Sequence, residues 1–242
     1  MTAAQRRAVE AAEPPRAAFS AAFVDTISVG VGMFPLGVAF GLLVVQSGLA
    51  WWWAFVLGVT VYAGSMEFLA VGLLVAVTPL AQLALTTLLI NFRHVFYALS
   101  FPLHRVRGRG TRLYSMYALT DESYALTASK PPETLSGARI LWLQAFCQSY
   151  WVSGSVAGAL AGSLLSIDLA GLGFTLTALF VVLAMDAVRV ERDIPGPVLA
   201  FLCALVALAV VPGQMLIAAM SLFVITLICR FLLRPGRESA DA

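Results

Sequence analysis

The sequence predicts an all-α polytopic membrane protein with about seven or eight transmembrane helices, and three observations predict it. Of 242 residues, 60% are hydrophobic and only 12% are charged, where a soluble domain carries roughly 25% charged residues. The mean hydropathy is +0.90. Apolar runs such as VGLLVAV and VLAFLCALVALAVV recur every few tens of residues, and a spanning helix needs about 20 mostly apolar residues. No segment shows the strict apolar/polar alternation of a membrane β-barrel. The formal net charge of +2 says little about partners.

Residues 1–18 are Ala-rich, with Arg6, Arg7, Arg16 and Pro14-Pro15. They lack an apolar core followed by a cleavage site, so they read as a disordered tail and not a signal peptide. Residues 19–233 read as a single transmembrane domain and 234–242 as a polar tail. The first span, about 19–46, contains GVGMFPLGVAFG. Its Gly32, Pro35, Gly37 and Gly41 predict a kinked or broken helix, because proline removes a ladder hydrogen bond and glycine admits other backbones.

A second span runs from the interfacial-looking WWWAF to about Val77, and a third from about Leu80 to Leu103. The basic run HRVRGRGTR follows, then LYSMYALTDESYALTAS, read as a single helix over 113–129. Further spans are expected at 139–165, 173–189, 197–211 and 214–233. Positive residues favour the cytoplasmic side. Eight spans place both termini inside but leave Arg105, Arg107, Arg109 and Arg112 outside; seven, with 113–129 not crossing, place the basic loop inside and the amino terminus outside. Asp121-Glu122 at mid-helix makes 113–129 a poor span. GVAFGLLV (37–44) and GALAGSLL (158–165) share small-xxx-small spacing at an offset of 121. Duplicated halves with a site between them are common in transporters, although such spacing also recurs by chance in Gly/Ala-rich helices.

The letters that do not belong in lipid are concentrated in NFRHVFYALS, residues 91–100. On a helical wheel with Asn91 at zero, Arg93, Tyr97 and His94 fall at about 200°, 240° and 300°, while Val95, Phe92 and Phe96 occupy about 40° to 140°. An arginine at the centre of a membrane helix costs about 2.5 to 3.5 kcal/mol on insertion scales, so it faces inward to a partner or snorkels to the interface. In the second span Thr60, Ala63, Gly64 and Glu67 share a face, and Glu67 is expected to pair with Arg93 or His94 across the contact between spans. LTDESYALT adds Asp121 and Glu122, with Tyr117 and Tyr124 on the Asp121 stripe. Gln144 and Gln148 lie one turn apart, and Asp186 lies near a span end close to Arg189.

Nothing points to an enzyme. His94 and His104 have no metal-ligand spacing around them, no phosphate loop exists, and no cofactor, metal or nucleic acid is implied. Cys147, Cys203 and Cys229 sit in apolar segments and behave as small hydrophobes. Three classes remain: a secondary transporter, a passive channel, and a non-transporting scaffold subunit of a membrane complex. A channel calls for repeated polar rings, which one sparse cluster per helix does not supply.

The blocks FPLGVAFG, YAGSMEFLAVGLL, LTTLLINFRHVFYALSF and LTDESYALT, in this order, resemble the AzlC family of branched-chain amino-acid permeases. That family includes the larger subunit of bacterial valine, isoleucine and methionine exporters. GALAGSLL and GLGFTLTALFVVLAMD extend the likeness, so it runs from about residue 25 to 190. The resemblance implies a multi-pass protein of the bacterial cytoplasmic (inner) membrane that exports branched-chain amino acids with a small AzlD-like membrane partner. At the Glu67 position the family commonly has glutamine. Substrate-binding or coupling candidates are therefore Glu67, Asn91, Arg93, His94, Tyr97, Asp121 and Glu122. Met66, Phe68 and Phe34 are candidates for an apolar pocket, and Glu67, His94 or Asp121 for a proton carrier.

Overall fold

A computed structural model describes residues 14–131, 134–165, 181, 185 and 195–232, and among them every regular element is helical. In chain order they are α1 (Pro15–Gln46), α2 (Trp52–Thr60), α3 (Gly64–Val75), α4 (Leu80–Asn91), α5 (Arg93–Ser100), α6 (Arg109–Tyr117), α7 (Asp121–Ala128), α8 (Gly137–Leu165), α9 (Pro195–Val210) and α10 (Met215–Leu232). The expected span at 173–189, with Asp186, lies outside the described residues apart from Val181 and Met185. Two compact units form: one of residues 1–78 and 90–168, the other of 79–89 and 169–242. Among the described residues, only α1 is by itself long and apolar enough to cross a membrane; α4 and α5 pass the same test together, as a pair interrupted at Phe92.

α1 starts four residues earlier than its apolar run suggests. Pro14 caps it and Pro15 occupies the first turn, where a missing N–H costs nothing. Of the kinked or broken helix expected, the break is absent: the helix runs through Gly32, Pro35, Gly37 and Gly41 to Gln46. α8 runs parallel to it so closely that glycines interlock with carbonyls. A methyl group on Gly154 would run into Phe34 O, one on Gly158 into Val38 O, and one on Gly41 into Ser155 O; one on Gly37 would lie 2.6 Å from Trp151 O. Phe34/Gly154, Val38/Gly158 and Leu42/Gly162 are each 120 positions apart, so the two segments sharing small-xxx-small spacing pack on each other in near-identical register. The small residues serve close packing, and the helix continues past its proline.

The breaks fall in the segments expected to be continuous. α2 ends in the β-branched run Val59-Thr60-Val61, poor helix formers. Tyr62 then takes a left-handed φ of 41° and Ala63 is extended, at φ −141°, before α3 begins. α4 gives way to α5 at Phe92, because side chains displace the backbone ladder there. Arg93 Nη1 donates to Ile90 O at 2.9 Å, and His94 Nδ1 donates to Asn91 O at 3.0 Å. Val95 N–H turns to Phe92 O instead.

The 113–129 segment is two helices. Asp121 and Glu122 are not at mid-helix but open α7, where the positive end of the helix dipole favours carboxylates. Thr120 N–H donates to Ser123 Oγ at 2.9 Å, and that hydroxyl in turn donates to the Ala118 and Thr120 carbonyls.

Residues 105–137 form an excursion that enters and leaves at one place. Arg105 Nη1 donates to Leu135 O at 2.8 Å, and Gly137 lies against Arg105 O. Beside that entry, Asp25 of α1 binds Lys130 at 2.7 Å and Arg139 at 2.6 Å. Ala22, Phe101, Val106, Leu135, Ile140 and Leu143 pack together there. α6 climbs away from this end of the unit and α7 returns to it. In the second unit α9 and α10 pack around buried Cys203 and Ala207, and Cys203 Sγ lies 3.8 Å from Thr226 Oγ1.

Gly158→Ala is expected to cost about 1–3 kcal/mol by overpacking and to lower Tm in detergent by several degrees. Gly32→Ala, where a methyl group meets nothing within 4 Å, leaves Tm unchanged. Equal melting of the two variants would contradict the interlocked packing.

Candidate functional site

The three breaks meet. A cavity of about 60 Å³ is bounded by Tyr62–Ser65 at the start of α3, Arg93 and His94 at the start of α5, Thr120–Glu122 at the start of α7, Met33 of α1 and Trp151 of α8. A chamber of about 320 Å³ adjoins it, sharing Tyr62, Ala63 and His94. Val61, Ala98, Phe101, Leu103, Met116 and Leu119 give this chamber apolar walls, and Asn91 and Tyr117 add polar atoms. Its size is within the range of about 300–1,000 Å³ usual for small-molecule sites.

Arg93 is committed to Asp121. Nε and Nη2 donate to the two carboxylate oxygens at 2.9 and 2.8 Å, and Tyr97 donates its hydroxyl to Asp121 Oδ1 at 2.8 Å. The Tyr97 ring stacks on Tyr124 with centroids 4.4 Å apart, and Tyr124 meets Ser100 at 2.9 Å. This polar face clasps α5 to α7. The opposite face of α5, Phe92, Val95, Phe96 and Leu99, is exposed, as the helical wheel divides it.

Glu67 does not pair with Arg93 or His94. It is fully buried and accepts Trp151 Nε1–H at 3.0 and 3.1 Å and Ala63 N–H at 2.9 Å. The expected pairing fails because Glu67, in the first turn of α3, faces Trp151 of α8, whereas the Arg93 fork finds a bidentate partner at the opening of α7. Trp151 is held between Phe40 and Phe68, and its ring edge lies 3.2 Å from where a methyl group on Gly64 would sit. Met66 and Phe68 are buried packing residues and Phe34 is largely exposed; none of the three lines the chamber.

Of the remaining candidates, His94 borders both cavities. A carbonyl only accepts, so the bond to Asn91 O places the proton on Nδ1 and leaves Nε2 as the acceptor nitrogen of the neutral ring. Asn91 Oδ1 is buried without a hydrogen-bond partner. Glu122 lines the small cavity and has no hydrogen bond or ion pair among the described residues. Gln144 Nε2 donates to Ser115 O at 2.8 Å and Gln148 joins Tyr114 and Tyr117, bracing α6 on α8.

Sequence reasoning overlooked Tyr62, Thr120 and Trp151. Two signals were available: Thr followed by Asp, Glu and Ser is a helix start, and a buried tryptophan N–H seeks an acceptor.

Residues 28–165, which include every residue bounding the two cavities, match the family described as AzlC protein. An uncharacterized membrane protein of Helicobacter pylori is 36% identical over 87% of this chain and 93% of its own length. The branched-chain amino acid transport protein AzlC of Bacillus subtilis is 34% identical over 73% of this chain and 70% of its own. Inner membrane protein YgaZ of Escherichia coli is 31% identical over 69% and 72%. No solved structure matches the chain. The fold, the site and these relatives together make the chain a membrane protein that belongs to the AzlC family.

Proposed function

We propose that this chain is the larger subunit of a secondary transporter that exports branched-chain or similar apolar amino acids across the bacterial cytoplasmic membrane, with a small AzlD-like membrane partner and protons as the coupling ion. What supports this assignment is the meeting of three interrupted helices at a cavity lined by Arg93, His94, Asp121 and Glu122, beside a larger chamber that shares three of its lining residues. Transporters place substrates where broken helices expose backbone ends. The name of the Bacillus subtilis relative supplies the substrate class.

The amino acid's side chain occupies the apolar chamber. Its carboxylate meets the first-turn amides of α3 at Gly64 and Ser65, which have no intrahelical acceptor. Arg93 serves indirectly, since Asp121 already fills its fork. The proton is carried at Nε2 of His94, the imidazole that borders both cavities. Glu67 acts as a hydrogen-bond acceptor for Trp151 and the α3 backbone, a role glutamine also fills. The end of the first unit that gathers Arg105, Lys130 and Arg139 faces the cytoplasm, as the bias of positive residues favours. Both the start of α1 and the basic loop then lie inside, because 105–137 returns to the end it left.

Cells lacking amino-acid exporters and given this gene with its small partner are expected to accumulate less valine internally and to tolerate a valine-containing peptide. Arg93→Gln, which still inserts, exports at least about tenfold less because α5 and α7 lose their clasp; normal efflux in that variant removes the clasp from the mechanism. The partner requirement is read from the same assay: export by this chain alone would refute it.

Glu67→Gln is expected to keep Tm and export near wild type, while Glu67→Leu, leaving the Trp151 and Ala63 donors unpaired, lowers stability by about 1–3 kcal/mol. His94→Gln retains valine exchange in vesicles but loses acceleration by a pH gradient. Acceleration that survives in His94→Gln and disappears in Glu67→Gln would move the proton to Glu67.

A further inference from the structure

Three carboxyl groups belong to the junction of the broken helices, and two of them are fully occupied. Asp121 holds Arg93 with both oxygens and accepts Tyr97 as well. Glu67 is enclosed by Trp151 and the Ala63 amide. Glu122 lines the small cavity, half-buried, with no hydrogen bond or ion pair among the described residues. Arg93 and Asp121 occupy each other, so Glu122 is the carboxyl group of the cavity that lacks a hydrogen-bonding partner among the described residues.

Two hydroxyls point to what that carboxyl group meets. Tyr62 is 4% exposed and Thr120 is 7% exposed. Both line the same cavity as Glu122; the two hydroxyls lie beside each other, and neither oxygen completes a hydrogen bond of good geometry. Tyr62 also holds the left-handed backbone that turns α2 into α3, a strained conformation of the sort that concentrates at binding sites. A carboxylate beside two unfilled hydroxyl oxygens presents three acceptors, and a primary ammonium carries three donors. A metal ion fits less well: among the described residues no group of three His, Cys, Asp or Glu side chains is placed to hold one.

Resting on the amino-acid reading above, we infer that Glu122 holds the substrate's ammonium group, with the Tyr62 and Thr120 oxygens taking its remaining N–H bonds. The adjoining chamber then receives the side chain, since the two cavities share Tyr62, Ala63 and His94. A free α-amine thereby becomes part of specificity: an amino acid is accepted, and the 2-hydroxy or 2-oxo acid with the same carbon skeleton is refused. The competing role for Glu122 is to stabilise the start of α7 through the helix dipole. That role affects folding and is blind to the ligand's amine.

The test is calorimetric binding of L-valine and of 2-hydroxyisovalerate to the full-length protein in lipid nanodiscs, with Tm measured alongside. Wild type is expected to bind valine at least about tenfold more tightly than the hydroxy acid, the scale of a charge-assisted hydrogen bond. Glu122→Gln loses that discrimination by weakening valine alone, and Glu122→Asp keeps part of it. Wild type that binds both ligands equally, which needs no variant to observe, overturns the ammonium assignment and leaves transport standing. Glu122→Gln with wild-type discrimination overturns it too, and a lowered Tm in that variant assigns Glu122 to the dipole. Wild type that binds neither valine nor any other apolar amino acid sinks the amino-acid reading itself, and this inference with it.

Discussion

A helix that stops inside an apolar bundle leaves backbone N–H and C=O groups with no water to turn to, and each costs several kcal/mol if left bare. The first unit contains three such stops, and the residues that look misplaced in the sequence are the ones that satisfy them. Glu67 takes the Ala63 N–H at the start of α3. Arg93 and His94 take the Ile90 and Asn91 carbonyls at the end of α4. Ser123 takes the amide and carbonyls around Thr120. The polar side chains are the condition for the breaks, and the breaks create the cavity.

This double duty explains why a search for charge pairs across helices goes astray here. An intramembrane acid and base on neighbouring spans suggest each other, yet Glu67 and Arg93 answer first to their own backbone and then to Trp151 and Asp121. Sequence spacing describes which residues share a face of one helix, and it does so well for α5: Arg93 and Tyr97 turn inward to Asp121 while Val95, Phe96 and Leu99 stay exposed. It does not describe which neighbour that face meets. That depends on where the chain returns, and the return of 105–137 is made by a capped helix start at Thr120 that apolar periodicity does not register.

Pro35 shows the opposite failure. Local rules favour a kink or break there, yet the helix is continuous, with Phe34 O and Val38 O seated against Gly154 and Gly158 of α8. The small-xxx-small repeat in both segments is legible in sequence. That the two repeats face each other in parallel, 120 positions apart, is legible only once α8 is seen to begin beside α1 at the Asp25 cluster.

The two kinds of contact around the cavity differ in how they resist displacement. α1 and α8 touch backbone to backbone through glycines, so sliding one past the other by even part of a turn drives a Cβ into a carbonyl. Dense packing of that kind is bistable or immovable and does not deform gradually. α5 and α7 are joined instead by side chains: the Arg93–Asp121 pair, the Tyr97–Asp121 hydrogen bond, the Tyr97–Tyr124 stack and the Ser100–Tyr124 contact. The wall that carries Met33 and Trp151 is thus held by backbone contacts and the clasp facing it by side chains, which can exchange partners without driving a Cβ into a carbonyl.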